Sequence, residues 1–243
     1  KTKKNFYFYI GVKGYNNRRC ITNELAFYKD LISDLSKSIH DIFFIIDGFS
    51  FFNDIHKKTS YFSDHYYEAQ KIIDKLLIFL EYNKINYKVI NGYSLYKSLE
   101  IIKLTDFYIT HEGTMHHKIG WFFPKKKGFI ITGSSFSESA ALWHSSQCYG
   151  AIAPYVFNES TITRVSQVMY SKHFYYAFKF TFNIFSFFIT KKWRNKFFNK
   201  LNKRRHDRDG VFFLNNINLM IIDIKFKIKK IYKPLQILKV NRN

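Results

Sequence analysis

The sequence predicts an α/β fold, a parallel sheet with helices on both faces, followed by a basic, aromatic C-terminal extension. Three observations lead there. Short, uninterrupted apolar runs such as NFYFYIG at 5–11 and DIFFIID at 41–47 recur over the first 150 residues, and strands buried on both faces read this way. Amphipathic stretches separate them, the clearest at 65–83, where Ile72, Ile73, Leu76, Leu77 and Leu80 share one helical face. The composition then changes. Residues 160–243 hold 19 Lys and Arg against 3 Asp and Glu, a net of +16, whereas residues 1–159 hold 20 against 15, a net of +5.

Taken in order, residues 5–11 form a strand ended by Gly11, and 12–20 a basic loop. Thr22 or Asn23 caps a helix through about Lys37, with Leu25, Tyr28, Leu31, Ile32 and Leu35 near helical spacing. A strand at 41–47 stops at Gly48, and a polar aromatic loop leads to the helix at 65–83. A short strand at 86–90 ends in the turn Asn91-Gly92, and 95–104 is a short helix. A strand at 107–110, a helix at 114–122, a strand at 128–132 and a helix at 137–148 complete the alternation. Strands alternating with amphipathic helices build a Rossmann-like parallel sheet. The domain division expected is 1–158 for the α/β unit and 159–243 for a helical and extended tail outside the sheet.

The chain of 243 residues carries a formal net charge of +21, with 28 Phe and 18 Tyr. Lys, Asn, Ile, Phe and Tyr are what AT-rich codons encode, so the placement of charge says more than its total. Its concentration in the last third predicts an anionic partner there. The two cysteines, Cys20 and Cys148, have no metal-ligand spacing and make no disulfide framework. The apolar stretch 6–12 is too short for a secretory signal, which predicts a cytoplasmic protein. Residues 170–190 reach the length of a membrane span, but Lys172, His173, Lys179 and Asn183 interrupt them, so the tail is expected to lie on a membrane rather than cross it.

In an open parallel sheet the ligand sits beyond the carboxyl ends of the strands. That rule gathers Gly11, Lys13, Gly14, Arg18 and Arg19 after the first strand, Asp47 and Gly48 after the second, and Asn91 and Gly92 after the third. His111, Glu112, Gly113 and Thr114 follow the fourth, and Gly133, Ser134, Ser135 and Glu138 the fifth. The loop GVKGYNNRR at 11–19 is neither a P-loop nor a Gly-x-Gly-x-x-Gly fingerprint. Its cations can still meet a diphosphate, because Arg forms forked bonds with phosphate oxygens. At His111-Glu-Gly-Thr, glycine permits a tight turn and the helix that starts there turns its positive end to the site. His111 can donate to a phosphate or a sugar hydroxyl; the blander role for His111 and Glu112 is to cap the turn. For His116 and His117 a structural role is expected. The spacing of His111, His116 and His117 does not align metal ligands on a helix face. Ser134 and Ser135 suit phosphate binding or capping, and Glu138 can accept both ribose hydroxyls of a nucleotide.

These residues resemble the C-terminal, nucleotide-sugar-binding half of a GT-B-type glycosyltransferase. The likeness covers about residues 5–150 and rests on three pieces: the glycine-ended strand with its Lys/Arg loop, TDFYITHEGT, and KGFIITGSSFSESA. The resemblance implies that Lys13, Arg18 and Arg19 neutralise the diphosphate, that Gly113 and Thr114 present helix-end amides to it, and that Glu138 holds the ribose. It implies His111 on the sugar or phosphate, His111 and Glu112 as the catalytic candidates, and no metal or other cofactor, because fixed positive charge stabilises the leaving group. The partners implied are a nucleotide-sugar donor, a glycan or lipid-linked acceptor of polysaccharide synthesis, and an anionic membrane surface reached through residues 160–243. A single α/β unit corresponds to the donor half alone. Two other classes stand beside it: a basic nucleic-acid-binding protein, disfavoured because no RNA-binding signature is present, and a non-catalytic scaffold with the same fold.

Overall fold

The computed structural model describes residues 5–14, 20–51, 60–131, 151–157, 162–167 and 210–231. Along the chain these form β1 (Phe6–Gly11), β2 (Cys20–Ile21), α1 (Glu24–Ser38), β3 (Ile42–Asp47), α2 (Ser60–Tyr82), β4 (Tyr87–Val89), α3 (Leu95–Ile102) and β5 (Phe107–His111). They continue as α4 (Thr114–Phe122), β6 (Lys127–Ile131), β7 (Tyr155–Val156), β8 (Ile162–Gln167), β9 (Gly210–Leu214) and α5 (Ile217–Ile231). The expected strands and helices from residue 5 to 131 are present, with ends displaced by a few residues. The helix expected at 137–148 lies outside the described residues.

Six strands form one parallel sheet in the order β4-β3-β1-β5-β6-β7. Numbered as the chain supplies them to this sheet, they lie 3-2-1-4-5-6, the doubly wound Rossmann-like arrangement. Strand β1 is central. It pairs with β3 from Phe6 opposite Ile42 to Gly11 opposite Asp47, and with β5 from Phe8 opposite Phe107 to Ile10 opposite Ile109. The strands are apolar throughout because both faces are covered. Phe8, Ile10, Phe44, Ile46, Phe107 and Ile109 enter a larger core with α1, α2 and α5, while Tyr9, Ile45 and Tyr108 meet Ile102 of α3 and Ile119 of α4 on the other face.

The abundance of phenylalanine has a structural use here. Phe44, Phe8, Phe107 and Phe129 stand side by side across four strands, with centroids 5.9, 5.8 and 6.1 Å apart, and Phe129 stacks on Phe157 at 4.6 Å. Such pairs add about 0.5–1.5 kcal/mol each beyond the area they bury.

The C-terminal region is not wholly outside this core. Met220, Ile221, Ile224 and Ile228 of α5 are buried in the larger cluster, and Lys225 pairs with Asp34 of α1 at 2.8 Å. Strand β9 pairs with β2 in parallel and β8 in antiparallel fashion to make a second, three-stranded sheet. Asn23, at the N-cap position of α1, makes no side-chain cap bond. Its amide instead donates to Leu214 O and its carbonyl accepts from Leu214 N, both at 2.9 Å, which ties β9 to the start of α1. Residues 170–190 lie outside the described residues. Among the described residues, no helix is long and apolar enough to cross a membrane.

Candidate functional site

The strand order reverses between β1 and β5, and in an open parallel sheet the carboxyl ends of two such strands are where a ligand crevice is expected. The loop after β1, with Lys13 and Gly14, and the β5–α4 turn, His111 to Thr114, both reach this crevice. Strand alternation decides which way each side chain turns. His111 follows Phe107 and Ile109 and so faces α1.

There it meets Glu24 in the first turn of α1. Glu24 and His111 are 0% and 1% exposed, and His111 Nε2 lies 2.7 Å from Glu24 Oε1. The same carboxylate accepts the amide of Lys13 at 2.9 Å and that of Gly14 at 3.2 Å. Tyr28, one turn on, donates its hydroxyl to Gly11 O at 2.8 Å and stands 3.4 Å from His111 Nε2. Burial raises the Tyr28 phenol well above its usual range, and the Glu24 carboxylate raises it further, so it stays a neutral donor. One carboxylate thus pins the loop after β1 and the end of β5 together. Because it can only accept, it fixes the Nε2–H tautomer of His111. Nδ1 is buried and has no hydrogen-bond partner among the described residues.

The loop is held on its other side too. Gly14, at φ 87°, packs against the backbone of α2, where an added Cβ would come within 2.6 Å of Glu68 C. Gly113 differs: its φ of 130° requires glycine, yet nothing lies within 4 Å of an added Cβ. The open space suits a ligand, but the backbone alone explains the residue. The Gly113 amide donates to His116 Nδ1 at 3.1 Å, so His116 caps its own helix, and His117 stacks on Trp121 at 5.1 Å. Glu112 is half-buried and its amide extends the β5–β6 ladder to Ile131 O at 2.9 Å. The first amides of α4 lack intrahelical acceptors as in any helix, and they start at this edge.

On the opposite face, buried Asp47 ends β3. Its Oδ2 accepts from Tyr9 at 2.8 Å and from Lys118 of α4, which also donates to Ser50 at 2.8 Å; Ser50 in turn bonds Ser98 of α3 at 2.8 Å. Burial raises the Tyr9 phenol well above its usual value, with the Asp47 charge second. Asn91 accepts from Phe49 N and donates to Gln70 Oε1, each at 2.7 Å, locking the loop after β3 to α2. Asp47 and Asn91 are therefore committed to internal contacts.

Of the residues expected at the site, Lys13, His111, Glu112, Gly113 and Thr114 lie at the crevice. Arg18, Arg19, Ser134, Ser135 and Glu138 lie outside the described residues. Glu24 and Tyr28 were not singled out by sequence reasoning. Nothing local to Glu24 in the sequence signals a partner 87 positions away. Among the described residues, no three His, Cys, Asp or Glu side chains converge to hold a metal ion. No family model, curated protein or solved structure matches the chain.

Proposed function

We propose that the chain binds a nucleotide-sugar in the crevice between β1 and β5 and acts as the donor-binding α/β unit of a glycosyltransferase. The strand order supports this reading, because its reversal falls between β1 and β5, where the Lys13–Gly14 loop and the start of α4 both lie and where such sheets bind ligands. In this reading the diphosphate meets the first amides of α4 and the cations of the loop, Lys13, Arg18 and Arg19, with Ser134 and Ser135 beside it. Glu138 holds the ribose. The acceptor, a glycan or lipid-linked hydroxyl, attacks the anomeric carbon. The bond from that carbon to the diphosphate oxygen breaks, and the nucleoside diphosphate leaves into fixed positive charge. His111 and Glu112, at the β5–α4 turn, are the candidates to take the acceptor's proton, and Glu24 holds the His111 ring in place. The same reading sets the protein on the anionic inner face of a membrane, drawn there by the charge of residues 160–243.

Release of UDP or GDP from their sugars, or of CMP from CMP-sugars, with lipid-linked and glycan acceptors, tests the proposal. Transfer from one donor is expected. His111→Ala should lower turnover by about 10²-fold or more while sparing most of the nucleotide affinity. Turnover unchanged by that substitution removes the catalytic role, and absence of release from every donor counts against the enzyme reading.

A further inference from the structure

Helix α5 has two apolar faces. Met220, Ile221, Ile224 and Ile228 point into the core. On the opposite side Leu219, Ile222 and Phe226, spaced three and four apart, form a second stripe and are 60%, 61% and 58% exposed. The alternation IDIKFKI, wound at 100° per residue, produces this, since every second apolar residue in turn faces in and out. Lys229 and Lys230 stand exposed at the end of the stripe. Lys225 and Lys227 flank it, half-buried and held near Asp34 and over the rings of Tyr155 and Phe226. The whole C-terminal third carries a net of +16.

We infer that the outer face of α5 docks on an anionic lipid surface, with Leu219, Ile222 and Phe226 entering the acyl boundary and Lys229 and Lys230 at the headgroups. A stripe of large apolar side chains bordered by lysines, lying along the surface of a folded domain, matches the division of a bilayer interface into apolar and anionic layers. A second copy would cover the apolar stripe but set its own lysines against the same positive charge. A nucleic acid would satisfy the charge and leave the stripe in water. The lipid surface answers both. This docking face stands apart from the identity of the donor, and it turns a general attraction of the tail into a specific contact of one helix.

Two measurements on the full chain test it. In the first, vesicles of phosphatidylcholine, with and without phosphatidylglycerol, are titrated with the wild type and with the triple variant Leu219→Ser, Ile222→Ser, Phe226→Ser. Binding should require phosphatidylglycerol, weaken with salt, and fall by about ten-fold or more in the triple variant at unchanged thermal midpoint. In the second, Phe226→Trp adds one indole to the three of the wild type, and its extra emission should be quenched by brominated lipid. Equal binding to both vesicle types, an unaltered affinity in a folded triple variant, or no extra quenching at position 226 would each overturn the inference. So would a dimer that the triple variant dissociates, or α5-dependent RNA binding, in a protein that ignores vesicles. Nucleotide affinity, measured in parallel, keeps a failure here separate from a failure of the donor site.

Discussion

Glu24 makes the largest demand of any single residue at the crevice. It is buried and accepts from two backbone amides and an imidazole. Glutamine in its place would turn an N–H toward one of three donors, and a buried donor without an acceptor costs about 1–3 kcal/mol. Glu24→Gln should lower stability by that amount in urea unfolding and, by ¹⁵N NMR of the ring, release His111 from the Nε2–H tautomer. A ring that keeps its tautomer would show that Glu24 does not position it. Across the sheet, Lys118→Met would strand Asp47 as an unpaired buried charge, with an expected loss of about 3–5 kcal/mol; Asp47→Asn added to it should recover part of that loss. The buried phenols set an alkaline limit. Burial raises Tyr9, Tyr28 and Tyr108 above their usual value, so the folded state keeps protons that the unfolded chain gives up. Their contribution is complete below a pH of about 10 and is lost as pH climbs from there toward the folded values. Tyr9→Phe or Tyr28→Phe should flatten that decline in unfolding measurements across the alkaline range, and an unchanged slope would contradict the assignment. At this scale the sequence was least informative. His111, Gly113 and Asp47 stand out beside strand ends, but the pairings His111–Glu24 and Lys118–Asp47 join residues 87 and 71 positions apart.

At the scale of elements, β1 and the strands β3 to β6 were readable because a strand covered on both faces must be apolar throughout, and their helices because the faces repeat at helical spacing. The second sheet was not. Strand β2 is two residues long at the end of a basic loop, and its partner β9 is supplied about 190 positions later. Helix α5 was obscured by its own alternation, which has the period of a strand while its buried residues keep the spacing of a helix. A consequence follows for the C-terminal region. Because α5 places four side chains in the main core, removing residues 160–243 should expose a face of α1 and compromise folding instead of leaving an independent α/β unit. Ile224→Ala should cost about 2–5 kcal/mol, and Asn23→Ala, which unties β9, about 1–2 kcal/mol. A chain ending near residue 158 that unfolds with the cooperativity and midpoint of the whole protein would refute this.

For the whole molecule, the parallel sheet with its 3-2-1-4-5-6 order has one reversal point, where ligands bind in such sheets, and Lys13, His111, Glu112, Gly113 and Thr114 of the carboxyl-edge residues singled out in the sequence lie there. Glu24 of α1 and the backbone of α2 hold Lys13 and Gly14 at the start of the loop after β1. The claim that this crevice holds a nucleotide is tested most directly by calorimetric titration of the full chain with UDP, GDP, CMP and their sugars. Two variants accompany it, Arg18→Ala with Arg19→Ala, and Glu24→Gln. One nucleotide is expected to bind in a 1:1 ratio, and each variant should weaken it by about ten-fold, or roughly 1.4 kcal/mol. Binding of none of them, or binding indifferent to both variants while their fold is intact, would contradict the account.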